Sequence, residues 1–494
     1  MPLTLTTQPL QGNNMYKLLP LLLGTLLFAQ SNSDKIEAMQ QSVIKLQKEI
    51  QSLKKVQNED LEQNKNDFDE LYDFTENVET KVLEDKLKFG LWLKFGDDCI
   101  EKKYTNNEKV NNSNLLTTKL MLNLKADVTK SIKFYGRLSM YKYWGSSAVH
   151  PYSYYDNMQG RVPSDSGLYV ERAYMDWFFL QDSILPMALT IGRQPSTDGP
   201  SHQFKDNVSR KATYSALLYD GVADGAVVTF NLSKLFSYSK TYLRFGYSKG
   251  FGYVNSETMT GNAFIGASNS DIQDTNVYGV FFDTTFFNIP NSLVQVSFSK
   301  MKDIIANPLD TNYSNNDNIG DMDLAGVAIE LSNINNLNLD LFAHYGYNKS
   351  HPNNNRYTIA TPNGEFKLGL LGEGDTINSQ SGSSLWVGGR YGLGGKQQYK
   401  VGFEYNHGSR HWVSLTQGGY DLYNKLSTRG DAYEGYLMYV HNRNLNFRLG
   451  YLAIDYKYNG SGWFVGAGES VSSDSTTKKL DTLAAVYLKM NLVF

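Results

Sequence analysis

Seven ionisable side chains crowd the stretch between Gln194 and Val222: Asp198, His202, Lys205, Asp206, Arg210, Lys211 and Asp220. Mixed charge at this density can line a site that steers or filters small ions, or simply keep a surface loop in water. Metal chemistry has less support. Asp310–Asp323 is rich in acids and amides of the kind that hold Ca²⁺. Counted as an EF-hand loop from Asn315, it has Asp317 third and Gly320 sixth, but Ile319 falls fifth and Gly326 replaces the bidentate glutamate, so the motif fails. His407 and His411 would pair on a helix. They follow an extended run, however, where residues at that spacing lie about 13 Å apart. No metal site and no cofactor are expected.

Covalent catalysis lacks its parts. None of the seven histidines stands beside a nucleophile motif, and hydrolase signatures lack their strand-turn-helix setting. The lone Cys99 excludes an intramolecular disulfide framework and Cys-x-x-Cys-His haem attachment. With 47 basic against 50 acidic residues, a net charge of −3, nucleic acid is not an expected partner. The chain reads as a non-enzyme.

The elements that must position the charged stretch follow a period of two. Leu120, Leu122, Leu124, Ala126 and Val128 alternate with Met121, Asn123, Lys125 and Asp127. Leu337 to Tyr347 and Leu445 to Tyr451 alternate likewise. Each run is a strand with one apolar and one wetter face. Strands read near 87–97, 119–129, 132–144, 168–179, 186–194, 223–232, 241–252, 275–287, 293–302, 322–331, 337–348, 384–394, 398–408, 432–441, 445–457 and 481–494. Short linkers such as Thr129–Ile132 and His441–Leu445 take turns with long ones such as Gly145–Gly167, Gln194–Val222, Lys349–Ser383 and Asn459–Leu480. The run 98–118 counts among the long ones. Such parity suits a transmembrane antiparallel β-barrel of about sixteen strands, with short turns at one end and long loops at the other. A soluble sandwich has no reason to keep it.

Parity points Lys125, Arg137, Arg172, Arg244, Arg390, Lys400 and Arg448 inward, with Asp127, Asp176, Asp340 and Glu404 as inward acids. That balance leans basic, hinting at anion preference, since rings of charge set ion preference in a pore. Trp144, Trp177, Trp386, Tyr439 and Tyr451 suit interfacial girdles.

Ahead of the strands, Lys17 precedes an apolar run from Leu18 to Phe28, then Ala29. This is the pattern of a secretory signal peptide over residues 1–29, with Met15 a possible true start. Over 33–86, Ile36, Val43 and Ile50 alternate with Met39, Leu46 and Leu53 at heptad spacing. The seam breaks at Gln57, Asp60, Asn64 and Asp67, and resumes at Leu71, Phe74 and Val78. A periplasmic α-helical coiled coil is expected, making the protein a homo-oligomer, dimer or trimer, the alternative being a helix that lies against another part of the same protein or its surroundings. The barrel then occupies 87–494. Its last strand presents Thr482, Ala484, Val486, Leu488, Met490, Leu492 and Phe494 on one face, ending on the final residue.

An alternating last strand with terminal Phe resembles the assembly signal of bacterial outer-membrane barrels. The leader, heptads and barrel together resemble porin-like outer-membrane proteins of Gram-negative bacteria. Ile191-Gly192-Arg193-Gln194-Pro195, Asp198-Gly199-Pro200 and Tyr219-Asp220-Gly221 are similar, more narrowly, to a family of this length in Campylobacter-like bacteria. The resemblance implies an outer-membrane location, with membrane lipid and the barrel-assembly machinery as partners. Met490, Leu492 and Phe494 would be read by that machinery. It also implies a third loop folded into the lumen, so the seven charged residues of Gln194–Val222 become constriction candidates. The function implied is diffusion of small solutes or ions through a charged lumen. The alternatives are a tether or adhesion barrel joining the outer membrane to the periplasm, and a sheath barrel around a partner protein.

Overall fold

A chain whose apolar residues alternate over sixteen strands can hide every backbone donor in lipid only by closing the sheet on itself. The computed structural model describes residues 41–48, 87–145, 163, 166–195, 199–210, 212–236, 240–251, 275–285, 289, 292–305, 318–353, 355–361, 364–394, 398–416, 421–471 and 478–494. Contacts divide the chain into Met1–Glu84 and Asp85–Phe494. In the first unit residues 41–48 are helical, with Val43, Ile44 and Leu46 exposed. The leader and the rest of the heptad segment lie outside the described residues.

In the second unit the strands are β1 (Leu87–Tyr104), β2 (Lys109–Asp127), β3 (Ile132–Tyr143), β4 (Tyr169–Phe179), β5 (Met187–Pro195), β6 (Val222–Asn231), β7 (Tyr242–Phe251), β8 (Thr275–Thr284), β9 (Leu293–Lys302), β10 (Gly320–Leu331) and β11 (Leu339–Pro352). A three-stranded sheet follows: β12 (Tyr357–Thr361), β13 (Gly364–Gly369) and β14 (Gly372–Glu373). The barrel resumes with β15 (Ser381–Leu393), β16 (Tyr399–Gly408), β17 (Gly430–Val440), β18 (Leu445–Tyr456) and β19 (Leu480–Val493). β1–β11 and β15–β19 form one closed antiparallel barrel, sealed by β1 against β19 with Trp92 opposite Val493 and Phe95 opposite Met490. Phe494 completes the seal: its amide donates to the Leu91 carbonyl at 2.7 Å and its carbonyl accepts from Leu91 at 2.8 Å.

The outward face is the apolar one. Phe245, Val296, Phe298, Phe403, Leu437, Leu449 and Leu488 are each between 46 and 55% exposed, which in water would be a continuous apolar belt and in lipid is its solvated surface. Tyr247–Tyr278, Tyr405–Tyr433 and Tyr399–Tyr439 pair across strands on that face at 5.1 to 5.3 Å. Trp144, Trp177 and Tyr451 are exposed as expected of girdles, but Trp386 is not among them. It is fully buried, because its neighbours Leu385 and Val387 take the outward positions of β15.

The first connection also departs from the sequence expectation. β1 and β2 run on as a long hairpin joined by a turn at 105–108, so most of 98–118 is strand rather than loop. Beyond the belt both faces of the hairpin meet water. Lys102, Lys103, Asn111 and Asn112 therefore show no alternation to betray a strand.

Candidate functional site

The loop between β5 and β6 leaves the rim and enters the bore. Its sequence explains why: Ala216-Leu217-Leu218 carries no charge and is fully buried. These residues pack with Phe204, with Trp412 and Val413 of the β16–β17 connection, and with inward Met322, Leu324, Phe342 and Trp386. Leu370, Leu371 and Phe464 from two further outer connections join the same core. Tyr219 pairs in parallel with Leu415, so the two inner segments form one piece.

Two inward glycines make the seat. Gly326 and Gly346 face each other across β10 and β11. A Cβ on Gly326 would lie 2.5 Å from Leu218, and one on Gly346 2.5 Å from Trp412. Apolar packing therefore fills the bore beside β8–β11 and β15.

Charged groups tie down the loop's short helix, His202–Asp206. Lys94 of β1 meets Asp206 at 2.6 Å, and Arg448 of β18 meets the same carboxylate at 3.4 Å. Lys205 meets Glu434 of β17 at 3.3 Å. Lys400 donates to Asn207 at 2.7 Å. Lys425, from the other inner segment, bridges Glu404 and Glu434. Burial alone would lower the Lys205 ammonium, but the Glu434 and Glu404 carboxylates outweigh it and hold it above the ordinary lysine range.

The sequence-predicted residues can now be placed. Asp198 and Lys211 lie outside the described residues. His202, Lys205, Asp206 and Asp220 lie within the bore, with His202 3.4 Å from Asp220. Arg210 sits 3.8 Å from Glu330. All seven basic wall positions face inward, and most meet an acid. Arg137 and Arg172 share Glu171 at 3.1 and 3.5 Å, Arg244 pairs with Asp283, and Arg390 meets Asp340 at 2.7 Å. Lys125 lies over the Tyr135 ring at 5.7 Å. Sequence reasoning missed the inward acids Asp98, Glu171, Asp283, Glu330 and Glu434 and the inward bases Lys94, Lys119 and Lys489, so these and the parity positions together make ten bases against nine acids, close to balance. Met490, Leu492 and Phe494 are on the outward face of β19 and its end, with Phe494 73% exposed.

A cavity of about 110 Å³ lies against β1–β3 and β17–β19. Lys94, Lys119 and Lys489 line its wall side, while Asp220, Asp421 and His202 line its loop side, with Tyr141, Tyr423 and Tyr487 between.

Sequence inspection found no convergent serine, histidine and acid, yet folding brings Ser201, His344 and Glu330 together. Ser201 Oγ lies 3.0 Å from His344 Nε2 and 2.6 Å from Glu330. In a nucleophilic triad the acid orients the imidazole. Here it accepts from the serine instead, and all three groups are almost fully buried. Among the described residues no group of three or more His, Cys, Asp or Glu is placed to hold a metal. Asp323, in the failed Ca²⁺ motif, meets His351 at 2.8 Å, and His407 meets Asp431 at 2.8 Å.

Solved structures similar to the chain include OmpF of Salmonella typhi in complex with daunomycin (13% identity, 83% of this chain and 99% of that one, TM-score 0.43). OprB of Pseudomonas putida is similar at 13% identity over 84% of this chain and 96% of that one, TM-score 0.46. OmpT, an outer-membrane protein of Vibrio cholerae, in its trimer form, is similar at 11% over 83% and 100%, TM-score 0.40. No curated protein matches the chain. The match that places it is to a family model spanning residues 109–494, from β2 to the last residue: the chain belongs to DUF3373, a family described as proteins of unknown function.

Proposed function

We propose that the chain is an outer-membrane channel through which small polar solutes and ions diffuse past an inward-folded loop. The observation that carries this reading is the contrast between the two faces of one closed wall. Outside is an apolar belt; inside is a bore lined by charged groups of both signs, narrowed by His202–Asp206. Such a wall fits a polar passage through lipid and has no use in water. The constriction is formed by Lys205, Asp206 and Asp220 against Lys94, Lys119, Arg448 and Lys489. Because wall bases such as Lys94, Arg390 and Arg448 face acids, ion preference is weak rather than strongly anionic. A sheath around a partner protein needs an empty bore, and here the chain's own segments occupy it. Met490 to Phe494 serve as the assembly signal, and the heptads over 33–86 drive homo-oligomerisation.

Liposome swelling tests this. Vesicles carrying the refolded barrel should admit glycerol and a pentose faster than a disaccharide. Folded barrel that admits neither sugars nor ions would sink the channel reading.

A further inference from the structure

We propose that the wall across β7–β11 seats one phosphorylated lipid of the outer leaflet, its head on four lysines and an acyl chain laid along β10. The site is on the outside of the barrel and stands whether or not the bore conducts. Register puts the lysines on the lipid-facing side. Lys249 lies opposite Asn276, and Asn276 opposite Lys302. Lys300 lies opposite Asp323, and Asp323 opposite Lys349. Each lysine pair therefore brackets one strand, with backbones about 10 Å apart. Lys249, Lys302 and Lys349 are exposed. The acids on this stretch of wall are engaged within it: Asp323 meets His351 at 2.8 Å and Lys300 at 3.5 Å, and Asp321 accepts from the Asp303 amide at 3.1 Å. Elsewhere the rim is balanced, with His407 and Lys457 set against Asp431 and Asp455 across β16–β18. At the opposite end of β9–β11, Val294, Leu331 and Leu339 carry no charge. The long connections mark the lysine end as the outer one. Lysines there meet lipid headgroups, and each contributes about fivefold to holding an anionic one. Two bracketing pairs suit a head with two phosphates.

Below the lysines the wall makes room for a chain. Ala325 follows Asp323 on the outward face, a small residue between Phe298 and Tyr347 of the neighbouring strands. Further down, the outer wall opens into an apolar cavity of about 510 Å³, floored by Ala343 and Gly389 and edged by Ile329, Leu341, Val387 and Phe403. From Asp323 to Ile329 the strand runs about 20 Å. At a tilt of about 35–45° this is about 15 Å of depth, half of a hydrocarbon core of about 30 Å. The cavity thus begins where the acyl chains of the outer leaflet end. A second copy of the chain is the poorer occupant, since a two-fold contact on this face would set one basic row against another.

Native mass spectrometry of the refolded barrel in detergent tests the site, with lipid A (a glucosamine disaccharide carrying two phosphates) and its monophosphoryl form as probes. Wild type should retain one molecule of lipid A and hold the monophosphoryl form more weakly. Lys300→Gln with Lys349→Gln should weaken binding by about 25-fold, about fivefold for each lysine. Asp323→Asn should tighten it, and Lys457→Gln should leave it unchanged. Ala343→Leu fills the cavity and should weaken binding of the same head several-fold. All these side chains point outward, and the heat-modifiable shift confirms that each variant has closed. Equal affinity in the double lysine variant and wild type overturns the head site, and equal affinity in Ala343→Leu overturns the chain path. Displacement of lipid A by inorganic phosphate alone would make this a site for a free anion and overturn the lipid. A dimer mass that Ala343→Leu abolishes would give the cavity to a second copy instead.

Discussion

Glu434 meets two ammonium groups in a buried place, Lys205 from one inner segment and Lys425 from the other, and Tyr487 donates to its second oxygen at 2.5 Å. Removing one member of such a cluster leaves the others charged and desolvated, which costs far more than the net worth of the pair. Glu434→Gln is expected to destabilise the docked segments by about 3 kcal/mol. This would be read as a lower urea midpoint for their tryptophan signal while the barrel's own transition holds. Gly346 gives the complementary case, since a side chain there displaces Trp412. Gly346→Val should loosen the plug and raise conductance with the heat-modifiable barrel intact; unchanged conductance would show that the apolar half of the bore does not control the passage. Neither partnership was legible beforehand. Glu434 and Lys205 are 229 positions apart, and the facing of Gly326 and Gly346 depends on register, which periodicity alone does not fix.

At the scale of elements, the strands were the legible part. All sixteen crossings lie where alternation put them, β1 and β2 running on beyond it as a hairpin, because a wall wetted on one face and greasy on the other leaves the same mark on every crossing. The inner loop was only half legible. Its charges drew attention, while Ala216-Leu217-Leu218, the apolar run that a solvated loop would not carry, held the better sign that it turns inward. Its docking has an alkaline limit. Burial pushes the Tyr219 phenol up, and Glu434 and Glu404 hold Lys205 up against burial. A folded pKa raised above the unfolded one contributes stability that is complete below the unfolded value, about 10 for both groups. That contribution is lost as the pH climbs toward the folded value. The loop is thus expected to stay docked through neutrality and loosen above about pH 10, measured by tryptophan fluorescence of Trp386 and Trp412. Loosening that begins near neutrality would contradict these assignments.

At the scale of the whole molecule, closure depends on the end of the chain. β19 seals against β1, and Phe494 adds two backbone hydrogen bonds to Leu91 while its ring stands exposed on the outer face. Deleting Phe494 should sharply lower the amount of barrel assembled in cells while a refolded sample still closes, because most of the β1–β19 ladder remains. Equal assembly of the truncated chain would remove the signal role. A passage through lipid is open to single-channel recording in a planar bilayer. Discrete conductance steps with weak ion preference are expected, growing when residues 202–214 are removed. A folded, closed barrel that stays silent both with and without that segment would contradict it.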